Sequence, residues 1–497
     1  MTSGQFSTLS LLHHNKSSGE IYVRIQLYDV LNRRKTVGGD VVIVRAQRIV
    51  PNVTYQEGQP KPSRSRNLYG YNFLVSPGTV VDHENGSYTA VVRTFWSEKT
   101  RIVAVVASKY QNICRRLLSM AKYGQSVFAL PRPRGIAIEF RQGYLSEYTM
   151  CSALPNVVGH ENICNLTNRN FGMSFYCGHP VTKSLTCDDT ILLARTRYFD
   201  NNVTQVHNSS KVINPLVSKI ENEIVYSAPY LAHVVNGFVL KHRPRDTCTA
   251  VLPIKSWFDP YPASLATSSG WKQLHCTHTL IRGTKNFRKC LAGKQIYTMG
   301  DSTVRQYFDY IVDKLRSSET KQKERNSLVF DDRQLNVYGE WTIHSMPYSC
   351  GDSVGLCIPN SLAQTLQRIR EKKASYFNGS EIIILITYHA HLQAYPVSVF
   401  RNRLQSLITP IRLLKKQFPM AKIFFKGPHP ISINGHWFDV RNALIFRDVL
   451  FETFKPILDL VVYLDTFSIS VSYASWELHP NGKALQAQID QWLSYIC

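Results

Sequence analysis

The 497-residue chain contains no uninterrupted apolar run of about 18 residues, so its sequence offers no candidate membrane-spanning helix. Met1–Glu20 lacks the apolar core of a secretory leader. None of the 11 cysteines stands in a C-x-x-C pair, which argues against zinc ribbons and thioredoxin-like motifs. Zinc-finger spacing, an aromatic RNA-reading motif and a long Lys/Arg block are also missing, so no nucleic-acid partner is expected. Acidic residues are scarce: 35 Asp and Glu face 58 Lys and Arg, for a net charge of +23. The basic residues are dispersed, and Lys61–Arg66 is the nearest approach to a cluster. Such a surface is first a solvated one, and after that a match for an acidic glycan or another anionic partner. With 44% hydrophobic and 19% charged residues, the composition is that of a folded globular protein rather than a disordered chain.

What the chain does contain points to an oxidising compartment. Cys114, Cys151, Cys164, Cys177, Cys187, Cys248, Cys276, Cys290, Cys350, Cys357 and Cys497 are widely spaced, as disulfide cysteines are. The odd count leaves at least one without a partner in the same chain, and the connectivity stays open. Seven N-x-S/T sequons begin at Asn15, Asn52, Asn85, Asn165, Asn202, Asn208 and Asn378. Together these features lead us to expect a glycosylated protein of the secretory pathway, extracellular or in the Golgi lumen. The missing leader is then expected to lie before the start of this sequence.

Hydrophobic periodicity divides the chain into three parts. In residues 1–110, Ile21, Val23, Ile25 and Leu27 alternate with polar neighbours, and Val41–Val44 and Arg101–Ala107 read as further strands. Asn85-Gly86 is a two-residue hairpin signal between Val80-Val81 and Ser87–Trp96. Short strands at this spacing predict a β-sandwich. Residues 111–269 hold cysteines and sequons without a clear period, and are expected to be irregular and disulfide-tied, with Tyr198–Val212 as loop. In residues 270–497, apolar strands at Gln295–Met299, Glu381–Thr387, Ala421–Phe425 and Leu458–Leu464 alternate with helical stretches. Strands apolar on both faces predict a parallel sheet covered by helices on both sides.

One constellation in this α/β part carries chemistry. Gly300-Asp301-Ser302 follows a buried strand and opens a helix. Ligands of open α/β sheets bind beyond the carboxyl ends of the strands, and the free N–H groups of a helix N-terminus favour negative charge. A serine there can attack a carbonyl while its own N–H helps to hold the oxyanion; a plain helix cap is the alternative role. Asp301 is expected to secure the turn. A serine nucleophile needs a base, and His479 in Leu478-His479-Pro480-Asn481-Gly482 precedes the last helix on the expected catalytic edge. For the acid that orients the imidazole, Asp465 at the end of a strand is preferred, and Glu477 is the other candidate. Arg305, one helical turn after Ser302, is a candidate for an anionic substrate or a structural salt bridge.

These motifs resemble those of the SGNH (GDSL-like) hydrolases. More narrowly, Lys294–Tyr307 (KQIYTMGDSTVRQY), with Cys276 and Cys290 before it and Ser494-Tyr495-Ile496-Cys497 at the end, resembles the neurexophilin and PC-esterase (NXPE) family. Asn32–Asp40 (NRRKTVGGD), Val81–Tyr88 (VDHENGSY) and Phe95-Trp96 resemble its neurexophilin-like, immunoglobulin-type domain. The resemblance runs over about 6–110 and 270–497. It implies a three-layer SGNH-like fold and a glycan-directed O-acyltransferase or esterase, with Ser302 as nucleophile and His479 as base. Wider relatives move acetyl groups on and off sugar hydroxyls, sialic acid among them. An acetyl donor is then implied for transfer, and neither a bound cofactor nor a metal. Two positions depart from the wider pattern. Trp476 stands where many SGNH enzymes carry an Asp three residues before the histidine. The Gly and Asn of their third block are replaced by Tyr388-His389-Ala390-His391, so His391 becomes an oxyanion candidate beside Gly300 and Asp301. The alternative implied by the family is a secreted or cell-surface ligand that binds a protein partner through its N-terminal domain, with an idle esterase-like domain.

Overall fold

The computed structural model describes residues 2–15, 17–49, 74–124, 134–170, 174–198, 230–236, 246–258, 264–277, 280–315, 322–324, 327–344, 381–432 and 438–497, with short helical pieces between 362 and 371. The Lys61–Arg66 cluster, residues 199–212 and the sequons at Asn52, Asn202, Asn208 and Asn378 lie outside the described residues.

The N-terminal part is antiparallel. Its strands are β1 (Thr2–Asn15), β2 (Glu20–Asp29), β3 (Val41–Arg48), β4 (Leu74–Asp82), β5 (Ser87–Arg93) and β6 (Lys99–Ser108). They lie in the order β1-β2-β5-β4-β3-β6, with β12 (Tyr230–Asn236) added beyond β6. The alternation in β2 is realised, with Ile21, Val23, Ile25 and Leu27 all 0% exposed. They meet Val44 and Ala46 of β3, Ala90 and Val92 of β5, and Ile102 and Ala104 of β6 in one core. Strand β4 joins two sets of partners: Val75–Pro77 pair with β3 and Gly78–Asp82 with β5. Gly78 sits at that change, where a Cβ would come within 2.5 Å of the Val91 carbonyl oxygen. The β4–β5 hairpin forms around Asn85-Gly86, but the turn is longer than two residues. Glu84 and Gly86 take positive φ, while Asn85 accepts from the Ser87 N–H.

Residues 110–198 correct the expectation of irregular structure. Helix α1 (Tyr110–Tyr123) precedes a five-stranded antiparallel sheet in the order β11-β7-β8-β10-β9. Its strands are β7 (Arg134–Gln142), β8 (Leu145–Ser152), β9 (Ile163–Asn165), β10 (Tyr176–Gly178) and β11 (Thr190–Tyr198). Cys177 lies across from Cys151 on one side and from Cys164 on the other. The disulfides Cys151–Cys177 and Cys164–Cys187 fill the core with Ile138, Phe140, Leu166 and Phe175. Sulfur here takes the place of a longer apolar pattern, and two of the strands have only three residues, too few to show a period.

A hairpin of β13 (Ser264–Thr267) and β14 (Gly270–Gln273) pairs with β4 through Ala266 and Thr267. The α/β part follows. Its strands are β15 (Lys294–Gly300), β16 (Gln322–Glu324), β17 (Ser327–Asp332), β18 (Val337–Ile343), β19 (Glu381–Ile386), β20 (Lys422–Lys426) and β21 (Val461–Leu464). The sheet order is β16-β17-β18-β15-β19-β20-β21. The five strands from β18 to β21 run parallel, and β16 and β17 form an antiparallel edge. Its helices are α2 (Thr284–Leu291), α3 (Ser302–Leu315), α4 (Val397–Gln417), α5 (Val440–Phe454), α6 (Thr466–Ser472) and α7 (Gly482–Ile496). Ile296 of β15 packs with Tyr307 and Phe308 of α3 and Trp492 of α7. Tyr297 and Met299 point the other way, toward Phe400 and Leu404 of α4 and Leu450 of α5. Both faces of the sheet are thus covered. From β15 the chain goes out to β18 on one side and later returns to β19 on the other. This reversal opens a crevice at the carboxyl ends of β15 and β19.

The two halves touch extensively. Val41 and Ile43 of β3 and Ile113 of α1 share a core with Val440, Ala443, Phe467 and Val471. Arg45 donates to the Val471 carbonyl (3.1 Å), and Asp439 pairs with Arg116 at 2.9 Å and accepts from the Ser108 hydroxyl at 2.8 Å. Two more disulfides, Cys248–Cys276 and Cys290–Cys497, bring the number among the described residues to four, and Cys114 is a free thiol. Among the described residues no helix is long and apolar enough to cross a membrane.

Candidate active site

The site starts from a turn that requires glycine. Gly300 ends β15 with φ +146°, and a Cβ there would lie 2.5 Å from the Thr387 carbonyl oxygen. Asp301 follows with no exposed surface. Its carbonyl accepts from the Val304 and Arg305 N–H groups. Its Oδ1 accepts from the Thr303 N–H (2.9 Å) and hydroxyl (2.7 Å), and its Oδ2 accepts from the Ala390 N–H (2.8 Å). One carboxylate therefore caps α3 and straps the β15 turn to the loop after β19. Burial alone would raise this carboxyl, but His391, His344 and Lys426, together with the Thr303 hydrogen bond, hold it well below the usual range.

With the turn so fixed, Ser302 becomes the first residue of α3, and its Oγ lies 2.7 Å from Nε2 of His479. Burial lowers the His479 pKa, Lys426 adds to this, and Asp301 opposes it. The imidazole is accordingly neutral near pH 7 and can accept the hydroxyl proton at Nε2. Its loop is held on both sides: the Leu478 carbonyl bonds His429 Nε2 (3.1 Å), and the Pro480 carbonyl accepts from Gln306 Nε2 (2.9 Å).

Below the nucleophile lie groups that sequence reasoning missed. Lys426, the last residue of β20, is 0% exposed. Its ammonium donates to the Thr303 hydroxyl (3.2 Å) and to His429 Nδ1 (3.3 Å). Burial pulls its pKa down to about 8 against the attraction of Asp301. His429, accepting at Nδ1, presents Nε2–H to Leu478, so Lys426 sets the tautomer that holds the His479 loop. His389 is buried beside His429 with ring centroids 5.0 Å apart, and accepts from the Gln393 amide (2.7 Å). Its pKa falls to about 3, mainly by burial. A polar run directly after a buried strand, as in Lys426-Gly427-Pro428-His429, was the available signal.

The remaining candidates separate clearly. His391 lies at the site, its ring 4.9 Å from that of His344, and burial lowers its pKa. Among the described residues, its Nδ1 has no hydrogen-bond partner. Arg305 points along α3 into an ion pair with Asp309 (3.4 Å) and over the Trp341 ring (5.4 Å). Asp465 is not brought to His479: it caps α6, with Oδ1 taking the Ser468 N–H and Oδ2 the Ser468 hydroxyl. The reason is local, since a helix starts directly after β21 and needs a cap. Glu477 accepts from the Ser475 hydroxyl (2.7 Å). Among the described residues, no carboxylate hydrogen-bonds His479. The one His/Cys group with metal-ligand spacing among the described residues, Cys164, His179 and Cys187, has its two sulfurs joined as a disulfide.

A glycine turn, a serine and a histidine in this order and on this sheet edge invite comparison with known families. Residues 271–497 match the family described as NXPE family member 4-like, C-terminal domain. Residues 271–497 form an NXPE-family C-terminal domain. The match covers all of the α/β part from β15 to α7, and so takes in Ser302, Lys426, His429 and His479. In this NXPE-family domain, Ser302 and His479 come from the two ends of the matched segment and meet through the parallel sheet.

Proposed function

We propose that the domain is a serine O-acyl esterase or acyltransferase acting on acetylated glycans, with an acyl-enzyme intermediate. The 2.7 Å Ser302–His479 hydrogen bond carries this reading. Ser302 Oγ attacks the acyl carbonyl carbon, and its proton passes to His479 Nε2. The tetrahedral oxyanion is held by the Ser302 N–H and the N-terminus of α3, with His391 in reach to add a donor. The intermediate then collapses, the acyl–oxygen bond breaks, and the leaving alcohol takes the proton from His479. Water or a sugar hydroxyl next attacks the acyl-enzyme, again giving its proton to His479; the acyl–Oγ bond breaks, and Ser302 Oγ takes that proton back from His479. Transfer requires an acetyl donor in the first step. In the absence of an acid partner, the bonds to Leu478 and Pro480 take over the orienting role.

The substrate is a glycan or glycoprotein met in the secretory pathway, extracellularly or in the Golgi lumen. Four disulfides and the exposed sequon asparagines Asn85 and Asn165 support that placement. The N-terminal sheet serves as an immunoglobulin-type module for a cell-surface partner. A second reading, a binding protein with an idle catalytic domain, draws on one observation: among the described residues no carboxylate hydrogen-bonds His479.

Covalent labelling with a fluorophosphonate probe decides between them. Protein from secreting cells should label, and Ser302→Ala and His479→Ala should each abolish the signal. A folded wild-type protein that stays unlabelled would sink the serine mechanism and leave the binding reading.

A further inference from the structure

Between the floor of the site and the start of α5 lies a buried glutamine. Gln393 stands in the 3-10 helix Ala390–Ala394 that follows β19, and it is 0% exposed. Its Oε1 accepts from the Asp439 N–H at 3.0 Å, and its backbone carbonyl accepts from the Asn442 amide at 3.2 Å. Both donors come from the N-terminus of α5. The Asp439 carboxylate is in turn held by the Arg441 N–H within α5 and by Arg116 and Ser108 of the N-terminal half. The backbone N–H that meets Gln393 is therefore a fixed donor.

A fixed donor dictates the rest of the arrangement. With Oε1 turned to a backbone N–H, the amide must present its NH2 on the other side, where His389 Nε2 lies 2.7 Å away. His389 Nε2 is then an acceptor, and the neutral ring carries its proton on Nδ1. Among the described residues Nδ1 has no hydrogen-bond partner, so the Gln393 amide is the one polar tie that fixes this ring.

What the ring lies against is His429. The two imidazoles are both 0% exposed and meet edge to face with centroids 5.0 Å apart, and Phe446 of α5 stands edge-on to His389 at 6.4 Å. Burial keeps both rings neutral; Lys426 adds to this and Asp301 opposes it. Hydrogen bonds and packing rather than a net charge thus set where the rings lie. His429 binds Lys426 at Nδ1 and the Leu478 carbonyl at Nε2, one residue before His479. A close-packed interior has no free volume to absorb a turned ring. A His389 released from Gln393 displaces His429, and the His479 loop loses its donor.

We propose that Gln393 is a positioning residue of the Ser302–His479 pair, acting through His389 and His429 on the loop that carries the base. The proposal rests on the serine reading given above. Gln393 itself touches neither substrate nor the reacting atoms.

The test is a double-mutant cycle in the full chain. Gln393→Met keeps the length of the side chain and removes its amide. His389→Phe keeps a ring in place that needs no hydrogen bond. Two quantities are read: the rate of labelling by the fluorophosphonate probe at pH 7, and the exchange with water of the His429 Nε2–H in 15N-histidine-labelled protein, assigned by its loss in His429→Gln. Gln393→Met is expected to slow labelling and to speed exchange, each at least ten-fold. On the His389→Phe background the same change should alter each by less than three-fold, because the bond it breaks is already gone. A glutamine that only supports the fold would cost the same on both backgrounds. That equality, or a Gln393→Met protein that stays within three-fold of wild type in both readings, would overturn the proposal. Gln393→Asn, one methylene too short to bridge Asp439 and His389, takes the place of Gln393→Met with the same expected ratios if the latter does not fold. A folded wild type that does not label sinks the serine reading instead, and the exchange cycle alone then supports or overturns the hold of Gln393 on the loop.

Discussion

Asp301→Asn is the change that tests the architecture of the site most directly. The carboxylate receives three donors, the Thr303 N–H, the Thr303 hydroxyl and the Ala390 N–H. An amide of the same shape keeps one acceptor oxygen, and its NH2 must face a backbone N–H on one side or the other. A hydrogen bond to a charged group contributes about 1.5–3 kcal/mol. The change also removes the group that supports the charge of buried Lys426, to which Asp301 is linked through the shared Thr303 hydroxyl. Removing one partner of a buried charge pair typically costs about 3–5 kcal/mol. A loss of about 3–5 kcal/mol is therefore expected in urea unfolding followed by tryptophan fluorescence at pH 7. In the double variant Asp301→Asn/Lys426→Met the stranded amine is gone, so the two costs should fall short of additivity by about 1–3 kcal/mol. A loss under about 1 kcal/mol for Asp301→Asn, or strict additivity in the cycle, would refute the view that carboxylate, hydroxyl and amine act as one buried unit.

Three other outcomes follow from the same geometry. Lys426 binds its proton more weakly in the folded chain (about 8) than at its ordinary value of 10.5, so it opposes folding by about 3 kcal/mol below pH 8, and this opposition fades between pH 8 and 10.5. The stability of wild type relative to Lys426→Met, read from urea midpoints, should thus rise across that window; a flat difference would contradict the burial of a charged amine. His479 works as a base only when neutral, and its pKa lies below 6.5, so kcat/KM on an acetyl ester should rise with pH to a plateau with its midpoint below 6.5; a midpoint above 7 would exclude it as the controlling base. Breaking Cys290–Cys497, which spans 207 residues, should cost about 5 kcal/mol by chain entropy, against about 4 for Cys248–Cys276, which spans 28; Cys→Ser variants compared by urea midpoint would give the reverse order if local strain dominates.

The meeting of Ser302 and His479 was legible because each belongs to a short motif whose position relative to an apolar strand can be read from the sequence. Asp465 misled for the same reason. A carboxylate at a strand end is at the catalytic edge, but Asp465-Thr466-Phe467-Ser468 also begins a helix, and the cap takes both its oxygens. Lys426 stayed hidden because residue type argues for solvent: a lysine after Phe424-Phe425 reads as the polar end of a strand. What buries it is the convergence of Asp301 and of Thr303 in α3, both far from it in sequence, with His429 of the loop that follows it. In the N-terminal part, β2 followed from alternation, β5 from the Asn85-Gly86 hairpin signal, and β3 and β6 from the short apolar stretches at Val41–Val44 and Arg101–Ala107. The edge strand β1 did not, because residues such as Leu11 and Leu12 are exposed and its register to β2 is twice interrupted.

The short helix α6 is held from two directions. Its sequence neighbours lead into β21 on one side and to the His479 loop on the other, while Phe467, Ile469 and Val471 lie against β3, β4 and the β13 hairpin. A fragment starting at residue 270 would carry every group placed at the site, yet it would uncover these side chains within eight to twelve residues of His479. Such a fragment is a poor reagent: silence from it would report a loosened base rather than an inactive serine. Conversely, any ligand that shifts the N-terminal sheet has a mechanical handle on His479 without approaching the crevice.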